Sequence, residues 1–284
     1  MQLNANKKPQ GQYGIIGWPL GHSKSPLLHN WGLKESGLPG VYVAWPTEPA
    51  KLKAFMAEVR ARHIRGVSVT IPHKQAVMPY LDGLTDRAKV IGAVNTLFWR
   101  EGKLMGDNTD VIGIKKPLLA RQEAQGGALK SALVLGAGGA ARAACAALKE
   151  LGVPDVAVTN RTASKAVKLA ADFGQRAVPW DERAQGTWSL VANTTPLGML
   201  GEHQNESPWP ADGFAGVGLV FDFVYNPVRT RLMAEAQEAG VACLSGLSMF
   251  LHQGLAQFEL WTGKALDERR ARQVLMADLL LMGG

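Results

Sequence analysis

A glycine-rich turn near the middle of the chain has the residue types that bind a dinucleotide. Residues 132–135 form an apolar run that leads into GAGGAA (136–141), and an alanine-rich helical pattern follows. In a G-x-G-x-x-A turn, the first glycine permits the tight turn and the second lets the backbone approach a pyrophosphate. The helix N-terminus adds N–H donors and a partial positive charge. The residues predicted to bind the cofactor here are Gly136, Ala137, Gly138, Gly139 and Ala140.

The end of the next predicted strand indicates which dinucleotide is bound. An NAD site usually has Asp or Glu about 20 residues after the glycines, where it binds the ribose 2′-hydroxyl. This chain has Asn160, Arg161 and Thr162 there, with Lys165 close behind. An arginine can bind a 2′-phosphate through two parallel hydrogen bonds, whereas an acid would repel it. We therefore predict NADP. The alternative is that Arg161 is only a solvated surface charge.

Lys74 is a candidate functional residue because of its position. It follows a predicted strand closed by Pro72 and falls in the first turn of the next predicted helix. A cation there faces the positive end of the helix dipole, so local stability does not favour it. Departures from local rules are frequent at functional sites. The alternative is an exposed lysine that extends into water.

The elements that would position these residues follow an α/β pattern, because short β-branched runs alternate with helical stretches. In the first third we predict three strands, each followed by a helix, and then a hairpin. The strands are 13–17, 41–45 and 66–71, the helices begin near residues 26, 49 and 73, and the hairpin joins 94–99 to 103–106. After a helix from about residue 110, a second series has strands at 132–135, 155–159, 190–192, 219–223 and 241–244. A final helical stretch begins near residue 247.

The composition excludes several classes of protein. Hydrophobic residues make up 46% and charged residues 19% of the 284 residues, which is typical of a globular protein with a substantial core. No run approaches the ~18 apolar residues of a spanning helix, and no secretory signal is expected. Cys145 and Cys243 are too few for a disulfide framework, which favours the cytoplasm. The histidines show no metal-ligand spacing, so we predict no metal site.

The net charge of +7 admits several anionic partners. Nucleic-acid binding usually shows clustered basic residues, often with interleaved aromatic ones. The basic clusters in this chain are short and fall in helical patterns, so we interpret them as solvated faces and predict no nucleic-acid partner. The positive charge would instead help to attract a phosphate-rich cofactor and a carboxylate substrate.

Eight polar or glycine-bearing segments together resemble a known family. They are GHSKSP (21–26), GVSVTIPHK (66–74), GAVNT (92–96), GDNTD (106–110), GAGGA (136–140), NRT (160–162), NTTPLGM (193–199) and GLSMFLHQ (246–253). In order and spacing they resemble the shikimate dehydrogenases along almost the whole chain, apart from about the first ten residues.

The resemblance implies a two-domain α/β protein with its active site in the cleft between the domains. An N-terminal α/β substrate domain, 1–109, would be completed by C-terminal helices 246–284, and 110–245 would be a Rossmann-type NADP domain. The activity implied is NADPH-dependent reduction of 3-dehydroshikimate to shikimate, in the chorismate pathway to the aromatic amino acids. The enzyme would be cytoplasmic, a monomer or a homodimer, and not bound to a membrane.

The resemblance also implies roles for single residues. Lys74 would be the catalytic lysine, oriented by Asp110. Ser23 and Ser25 would bind the substrate carboxylate. The remaining substrate-binding positions would be Ser68, Thr70, Asn95, Asp110 and Gln253 with Tyr225 nearby. Besides the glycine-rich turn, the cofactor would contact Asn160, Arg161, Thr162, Lys165, Thr194, Met199 and Gly246, with Met199 near the nicotinamide.

The residues leave alternatives open at several of these positions. The commoner bacterial pattern has asparagine where this chain has Ser68, and a hydroxyl is shorter than an amide, so the substrate preference is open at this point. Ser25 precedes Pro26, which is the arrangement of a helix N-cap. Asn95 could satisfy backbone groups in a turn, and Gln253 could be a boundary residue beside an apolar helix stripe.

Two other functions fit part of the pattern. One is a quinate/shikimate or aminoshikimate-type dehydrogenase of the same family. The absence of an acid after the second Rossmann strand argues against the NAD-using members. The other is a non-catalytic, NADP-binding regulatory protein. The presence of both Lys74 and Asp110 argues against it, because ligand binding alone requires no proton relay.

Overall fold

The chain folds into two compact units, each built around its own β-sheet. The computed structural model describes residues 12–21 and 23–282. The first unit contains the described residues up to Thr109 together with Gly254–Leu275, and the second contains Asp110–Gln253 and the described residues from Met276 onward.

The first unit has a mixed six-stranded sheet. Its strands are β1 (Gln12–Gly17), β2 (Val41–Pro46), β3 (Gly66–Val69), β4 (Gly83–Leu84), β5 (Thr96–Arg100) and β6 (Lys103–Asp107). The helices between them are α1 (Ser25–Glu35), α2 (Leu52–Ala61), α3 (His73–Ala76) and α4 (Asp86–Ile91), with 3-10 turns at Pro49–Lys51 and Met78–Tyr80.

The strand order in this sheet is β2-β1-β3-β5-β6-β4. Strands β1, β2 and β3 are parallel, whereas β5 runs antiparallel to both β3 and β6. The ends of β1, β3 and β6 and the start of β5 therefore lie at one edge. Beneath this edge is an apolar core that includes Ile16, Val67 and Leu97.

The second unit has a sheet in which every pair of neighbouring strands is parallel. Its strands are β7 (Ser131–Leu135), β8 (Asp155–Thr159), β9 (Arg176–Ala177), β10 (Leu190–Asn193), β11 (Leu219–Asp222) and β12 (Ala242–Ser245). The helices are α5 (Asp110–Gln125), α6 (Gly139–Glu150), α7 (Ala163–Phe173) and α8 (Arg231–Glu238), with a 3-10 turn at Trp180–Glu182; the chain then continues into α9 (Gly246–Thr262) and α10 (Glu268–Met282).

The order β9-β8-β7-β10-β11-β12 is that of the doubly wound dinucleotide-binding sheet, in which the strand order reverses beside the first strand. Here that reversal lies between β7 and β10, so the loops after these strands face the position where a dinucleotide binds. The four central strands, β7, β8, β10 and β11, are mostly apolar and almost entirely buried, as expected for a sheet covered on both faces, whereas β9 is exposed and β12 is partly buried. Within the described parts of the chain, no helix is long and apolar enough to cross a membrane.

The structure confirms the predicted α/β class and most of the predicted elements, with differences at their ends. The strand predicted at 66–71 ends at Val69, because residues 70–72 turn into α3. The predicted hairpin is present, but β5 begins at Thr96, since Val94 donates its N–H to Lys74 O in place of a strand partner. β4, β9 and α4 were not predicted; a two-residue strand is too short to show a periodic pattern.

Candidate active site

Loops at one edge of the first sheet collect most of the residues predicted to act on the substrate. Those lying there are Ser23, Ser25, Thr70, Lys74 and Asn95, which follow β1, follow β3 or precede β5. Two backbone hydrogen bonds tie the loops after β1 and β3 together. Trp18 N donates to Ile71 O, and Thr70 N donates to Ile16 O, each at 2.9 Å. The loops are therefore held side by side.

The two serines after β1 lie against each other. Ser23 Oγ donates to Ser25 Oγ at 3.2 Å and accepts from Ser25 N at 3.3 Å. The possibility that Ser25 is the N-cap of α1 is wrong, because α1 already begins at Ser25. Lys24 occupies the cap position, and its side chain makes no cap hydrogen bond. Adjacent hydroxyls in this arrangement are suited to bind the two oxygens of a carboxylate.

Lys74 lies in the first turn of α3, a short helix that is fixed on two sides. The buried His73 places Nε2 2.6 Å from Thr47 O; because a carbonyl oxygen only accepts, that ring nitrogen donates. Lys74 O accepts from Val94 N at 2.7 Å. The side chain of Lys74 itself is half-buried. The first contact ties α3 to the residue after β2, and the second holds the base of the lysine beside the loop that carries Asn95.

Asn95 is buried and its amide is held in one orientation. Oδ1 accepts from Thr109 N at 2.8 Å and from Thr96 Oγ1 at 2.6 Å, while Nδ2 donates to Thr109 Oγ1 at 3.0 Å. Asn95 thus accepts a hydrogen bond from a backbone N–H, as the alternative interpretation from the sequence predicted. The same contacts fix the amide, which a ligand-binding group also requires.

Asp107 supports the end of this loop and was not singled out from the sequence. Its carboxylate accepts from Thr85 Oγ1 at 2.6 Å, from Arg87 Nη2 at 2.5 Å and from Asn108 N at 2.7 Å. Burial opposes ionisation, but the hydrogen bonds from Arg87 and Thr85 hold the pKa of Asp107 below its usual value. The carboxylate therefore anchors the start of the segment that leads to Asp110.

Ser68 differs from the other predicted substrate residues in its surroundings. It lies within β3, is 4% exposed and is bound to the side chains of Tyr42 and Gln257. Its neighbours on this side are thus protein groups of the first unit.

In the second unit the glycine-rich turn has the geometry that a pyrophosphate requires. Gly136 has φ +111°, and a Cβ there would lie 2.7 Å from Thr194 Oγ1. Its N–H donates to Thr159 O at 2.8 Å. A Cβ on Gly138 would meet no protein atom within 4 Å, and α6 begins at the next residue. The open space beside Gly138 at the helix N-terminus fits a phosphate group.

The turn after β8 presents cations and no acid. Arg161, Thr162 and Lys165 are exposed, and Asn160 Nδ2 donates to Thr162 O at 3.0 Å, which closes the turn. Residues 160–171 contain no Asp or Glu. This arrangement fits a 2′-phosphate and lacks the acceptor that an NAD site places there.

The loops after β10 and β11 are tied together by a buried carboxylate that sequence reasoning missed. Asp222 accepts from Asn193 Nδ2 at 2.9 Å, from Val224 N at 3.0 Å and from Thr230 Oγ1 at 2.5 Å. Burial raises the pKa of Asp222 to about 6. An acid at the end of the apolar run LVFD was the available signal. Met199, in the first of these loops, is 44% exposed.

Asp110 and Gln253 lie on helices that approach each other closely. Asp110 is buried and is the first residue of α5, where its carboxylate suits the helix dipole. One turn later, a Cβ on Gly113 would lie 2.5 Å from Met249 O and 3.2 Å from Gln253 Cβ. Only glycine permits this approach, which brings the first turn of α5 to the middle of α9.

Tyr225 and Gln253 both contact Phe250. The rings of Tyr225 and Phe250 stack with centroids 4.5 Å apart, and Gln253 Nε2 donates to Phe250 O at 2.9 Å. Gln253 is 9% exposed, so it is buried rather than a boundary residue. At the start of α9, a Cβ on Gly246 would lie 2.4 Å from Phe223 O, so this helix also begins in close contact with the β11 loop.

A doubly wound nucleotide sheet, joined to an α/β unit that presents a lysine, hydroxyls and an amide, defines a dinucleotide-dependent oxidoreductase of two domains. Three family models match in chain order. They are a shikimate dehydrogenase substrate-binding domain (15–97), a shikimate/quinate 5-dehydrogenase domain (118–185) and a shikimate 5′-dehydrogenase C-terminal domain (246–276). The chain belongs to the shikimate dehydrogenase family, whose members are oxidoreductases that act on a CH–OH group.

Relatives with this name match along nearly the whole chain. The shikimate dehydrogenase (NADP(+)) of Maridesulfovibrio salexigens is 49% identical, over 96% of this chain and 98% of its own. That of Oleidesulfovibrio alaskensis is 51% identical, over 97% and 98%. A crystal structure of the Thermus thermophilus shikimate 5-dehydrogenase in complex with NADP(H) and shikimate is 40% identical, covering 94% of this chain and 99% of that one, with a TM-score of 0.83.

Proposed function

We propose that this chain catalyses the NADPH-dependent reduction of 3-dehydroshikimate to shikimate, a step of aromatic amino-acid biosynthesis. The relatives named above carry this activity in their names, and the Thermus thermophilus enzyme binds both NADP(H) and shikimate. The observation that carries the proposal is Lys74. A cation is held at the sheet edge that also presents two adjacent hydroxyls and a fixed amide, next to a loop anchored by Asp107.

The residues of the second unit fit NADP. The glycine-rich turn would hold the pyrophosphate, and Arg161 and Lys165 the 2′-phosphate. Asn160 and Thr162 would shape that turn. Thr194, Met199 and Gly246 would lie along the remainder of the cofactor, with Met199 toward the nicotinamide. The bound cofactor supplies the hydride from C4 of its nicotinamide.

The residues that act on the substrate have separate tasks. Ser23 and Ser25 bind the carboxylate. Thr70, Asn95, Gln253 and Asp110 bind ring hydroxyls, and Tyr225 lies nearby. As the ketone carbon accepts hydride, its oxygen becomes an alkoxide, which takes a proton from the ammonium group of Lys74; Asp110 orients that lysine. No covalent bond forms between the protein and the substrate.

A panel of substrates tests this proposal. Purified protein is mixed with NADP⁺ or NAD⁺ and with shikimate or quinate, and with NADPH and 3-dehydroshikimate for the reverse direction. Absorbance of the reduced nicotinamide gives kcat and KM for each pair. We expect the largest kcat/KM with shikimate and NADP⁺. A larger value with quinate would assign the chain to the quinate-using members, and no turnover with any pair would support a regulatory NADP-binding protein.

We further propose that the enzyme acts in the cytoplasm as a monomer or a homodimer. Cys145 and Cys243 are both free thiols, which suits a reducing compartment. The proposed division into a substrate domain of 1–109 with 246–284 and a cofactor domain of 110–245 follows the family pattern. Light scattering coupled to gel filtration would give the oligomeric state.

A further inference from the structure

Gln257 on α9 makes contacts that connect β3 to the Asn95 loop. Its side chain is 1% exposed. Nε2 donates to Asn95 O at 3.0 Å and to Thr96 Oγ1 at 2.9 Å, and Oε1 accepts from Ser68 Oγ at 2.8 Å. A buried amide whose hydrogens and oxygen all have partners is rigidly held.

The direction of each hydrogen bond follows from which groups can donate. Asn95 O is a carbonyl oxygen and only accepts, so the amide nitrogen of Gln257 must face it. The amide oxygen then faces Ser68, which must donate its single hydrogen to Gln257. Tyr42 OH donates to the same Ser68 oxygen at 2.7 Å. The hydroxyl hydrogen of Ser68 is therefore used inside the protein and is not available to a ligand.

The same chain of hydrogen bonds continues from Gln257 through Thr96 to the side chain of Asn95. Thr96 Oγ1 receives a hydrogen from Gln257, so its own hydrogen is directed to Asn95 Oδ1 at 2.6 Å. Thr109 N, which can only donate, points at the same oxygen. The orientation of the Asn95 amide is thus fixed from two sides. We call this directed series the Gln257 relay; its members are Tyr42, Ser68, Gln257, Thr96 and Asn95.

We propose that Gln257 is a positioning residue that sets the orientation of Asn95 toward the substrate, and that Ser68 acts through Gln257 instead of contacting the substrate. This rests on the proposed function, in which Asn95 binds a ring hydroxyl. Where an asparagine at position 68 would offer its own amide, this chain has a hydroxyl on β3 and the amide on α9. Substrate selectivity at this position therefore depends on two residues that are 189 positions apart in the chain.

A double-mutant cycle on Ser68→Ala and Gln257→Met tests the proposal, with shikimate oxidation by NADP⁺ as the assay. Each single change should raise the shikimate KM about threefold to tenfold, which corresponds to one net hydrogen bond. The KM for NADP⁺ should stay the same and kcat should change less than the shikimate KM. The double variant should lose no more than the worse single variant, because both changes interrupt the same series. Gln273→Met, on the exposed face of α10, is the matched control.

If the two KM effects multiply, Ser68 contacts the substrate independently and the proposal fails. It also fails if Gln257→Met lowers thermal stability but leaves the shikimate KM unchanged. Should Gln257→Met not fold, the isosteric Thr96→Val takes its place in the cycle, since Thr96 is the next member of the relay. An inactive wild type would overturn the proposed function itself, whereas an active wild type with multiplying effects overturns only the relay.

Discussion

Lys74 is held at a position that the helix dipole does not favour. Its position in the first turn of a four-residue helix gains nothing from the helix dipole, yet His73 and Val94 both hold that turn in place. The local structure is therefore arranged around the position of the cation. A group that stabilises charge formed only during hydride transfer acts mainly on turnover, whereas uniform binding contacts act mainly on KM.

We accordingly predict that Lys74→Ala lowers kcat by about 10²–10⁴-fold, the usual range for general acid–base groups. NADP affinity should be nearly unchanged, because the cofactor-binding residues lie elsewhere in the chain. Asp110→Asn should also lose turnover, and the double variant should lose less than the product of the two effects. Single-turnover rates of the two single variants and the double variant measure these losses. Lys89→Ala, an exposed lysine paired with Asp86, is the control. Near-normal kcat with a raised KM would reduce Lys74 to a binding role.

Arg161 is the second residue whose role can be tested alone. It is exposed at the turn after β8, where residues 160–171 contain no acid. Arg161→Ala should weaken NADP binding by about 1.5–3 kcal/mol, the range for hydrogen bonds to charged groups. The kinetics with NAD should barely change, since NAD has no 2′-phosphate. Titration of NADP and NAD into the Arg161→Ala protein measures both affinities, and Arg272→Ala, on α10, is the control. An equal loss of affinity for NADP and NAD would exclude the role assigned to Arg161.

The glycine-rich turn contains two glycines with different roles, Gly136 and Gly138. Gly136 has a positive φ and no room for a Cβ beside Thr194, whereas Gly138 has extended backbone angles and open space. The first glycine is thus required by the fold of the turn, and the second by the ligand.

We predict that the two alanine substitutions separate these tasks. Gly136→Ala should lower the free energy of unfolding by about 1–3 kcal/mol, as expected for a non-glycine residue held in a disfavoured conformation. Gly138→Ala should leave that free energy nearly unchanged but weaken NADP binding, because its methyl group would occupy the space beside the helix N-terminus. Urea unfolding without cofactor and NADP titration would distinguish them. Similar stability losses in both variants would contradict the assignment.

The glycines of this turn could be predicted from the sequence, whereas the buried hydrogen-bonding residues Gln257 and Asp222 could not. The glycine-rich turn, the turn after β8 and most strands were predictable, because their signals lie in adjacent residues. The family resemblance added Lys74, Asp110 and Asn95 as a group. Gln257 and Asp222 were not found, since each ties together segments that are distant in the chain. Ser68 lies 189 positions from Gln257, and Asn193 lies 29 positions from Asp222, although Val224 and Thr230 are close to that aspartate in sequence. Only the fold brings such partners together.

For the molecule as a whole, two buried groups make the units respond to pH in opposite directions. In the first unit, burial lowers the pKa of His29 from 6.5 to about 3, so its contribution to stability is present above about pH 6.5 and is lost as the pH falls toward 3. In the second, burial raises the pKa of Asp222 from 3.8 to about 6, so its contribution is present below 3.8 and is lost as the pH rises through 6.

We therefore expect acidification from pH 6.5 to 4.5 to weaken the first unit and strengthen the second. Each pH unit within a group's window is worth at most about 1.4 kcal/mol. His29→Phe, which keeps a flat ring stacked on Tyr42, should gain about 2–3 kcal/mol relative to wild type between pH 7 and 4.5. Asp222→Asn should change the other way, losing about 2 kcal/mol relative to wild type over the same fall in pH. Urea unfolding of the three proteins at several pH values, with hydrogen exchange to assign each transition to a unit, gives the comparison. Profiles parallel to wild type would show that neither buried group titrates differently in the folded chain.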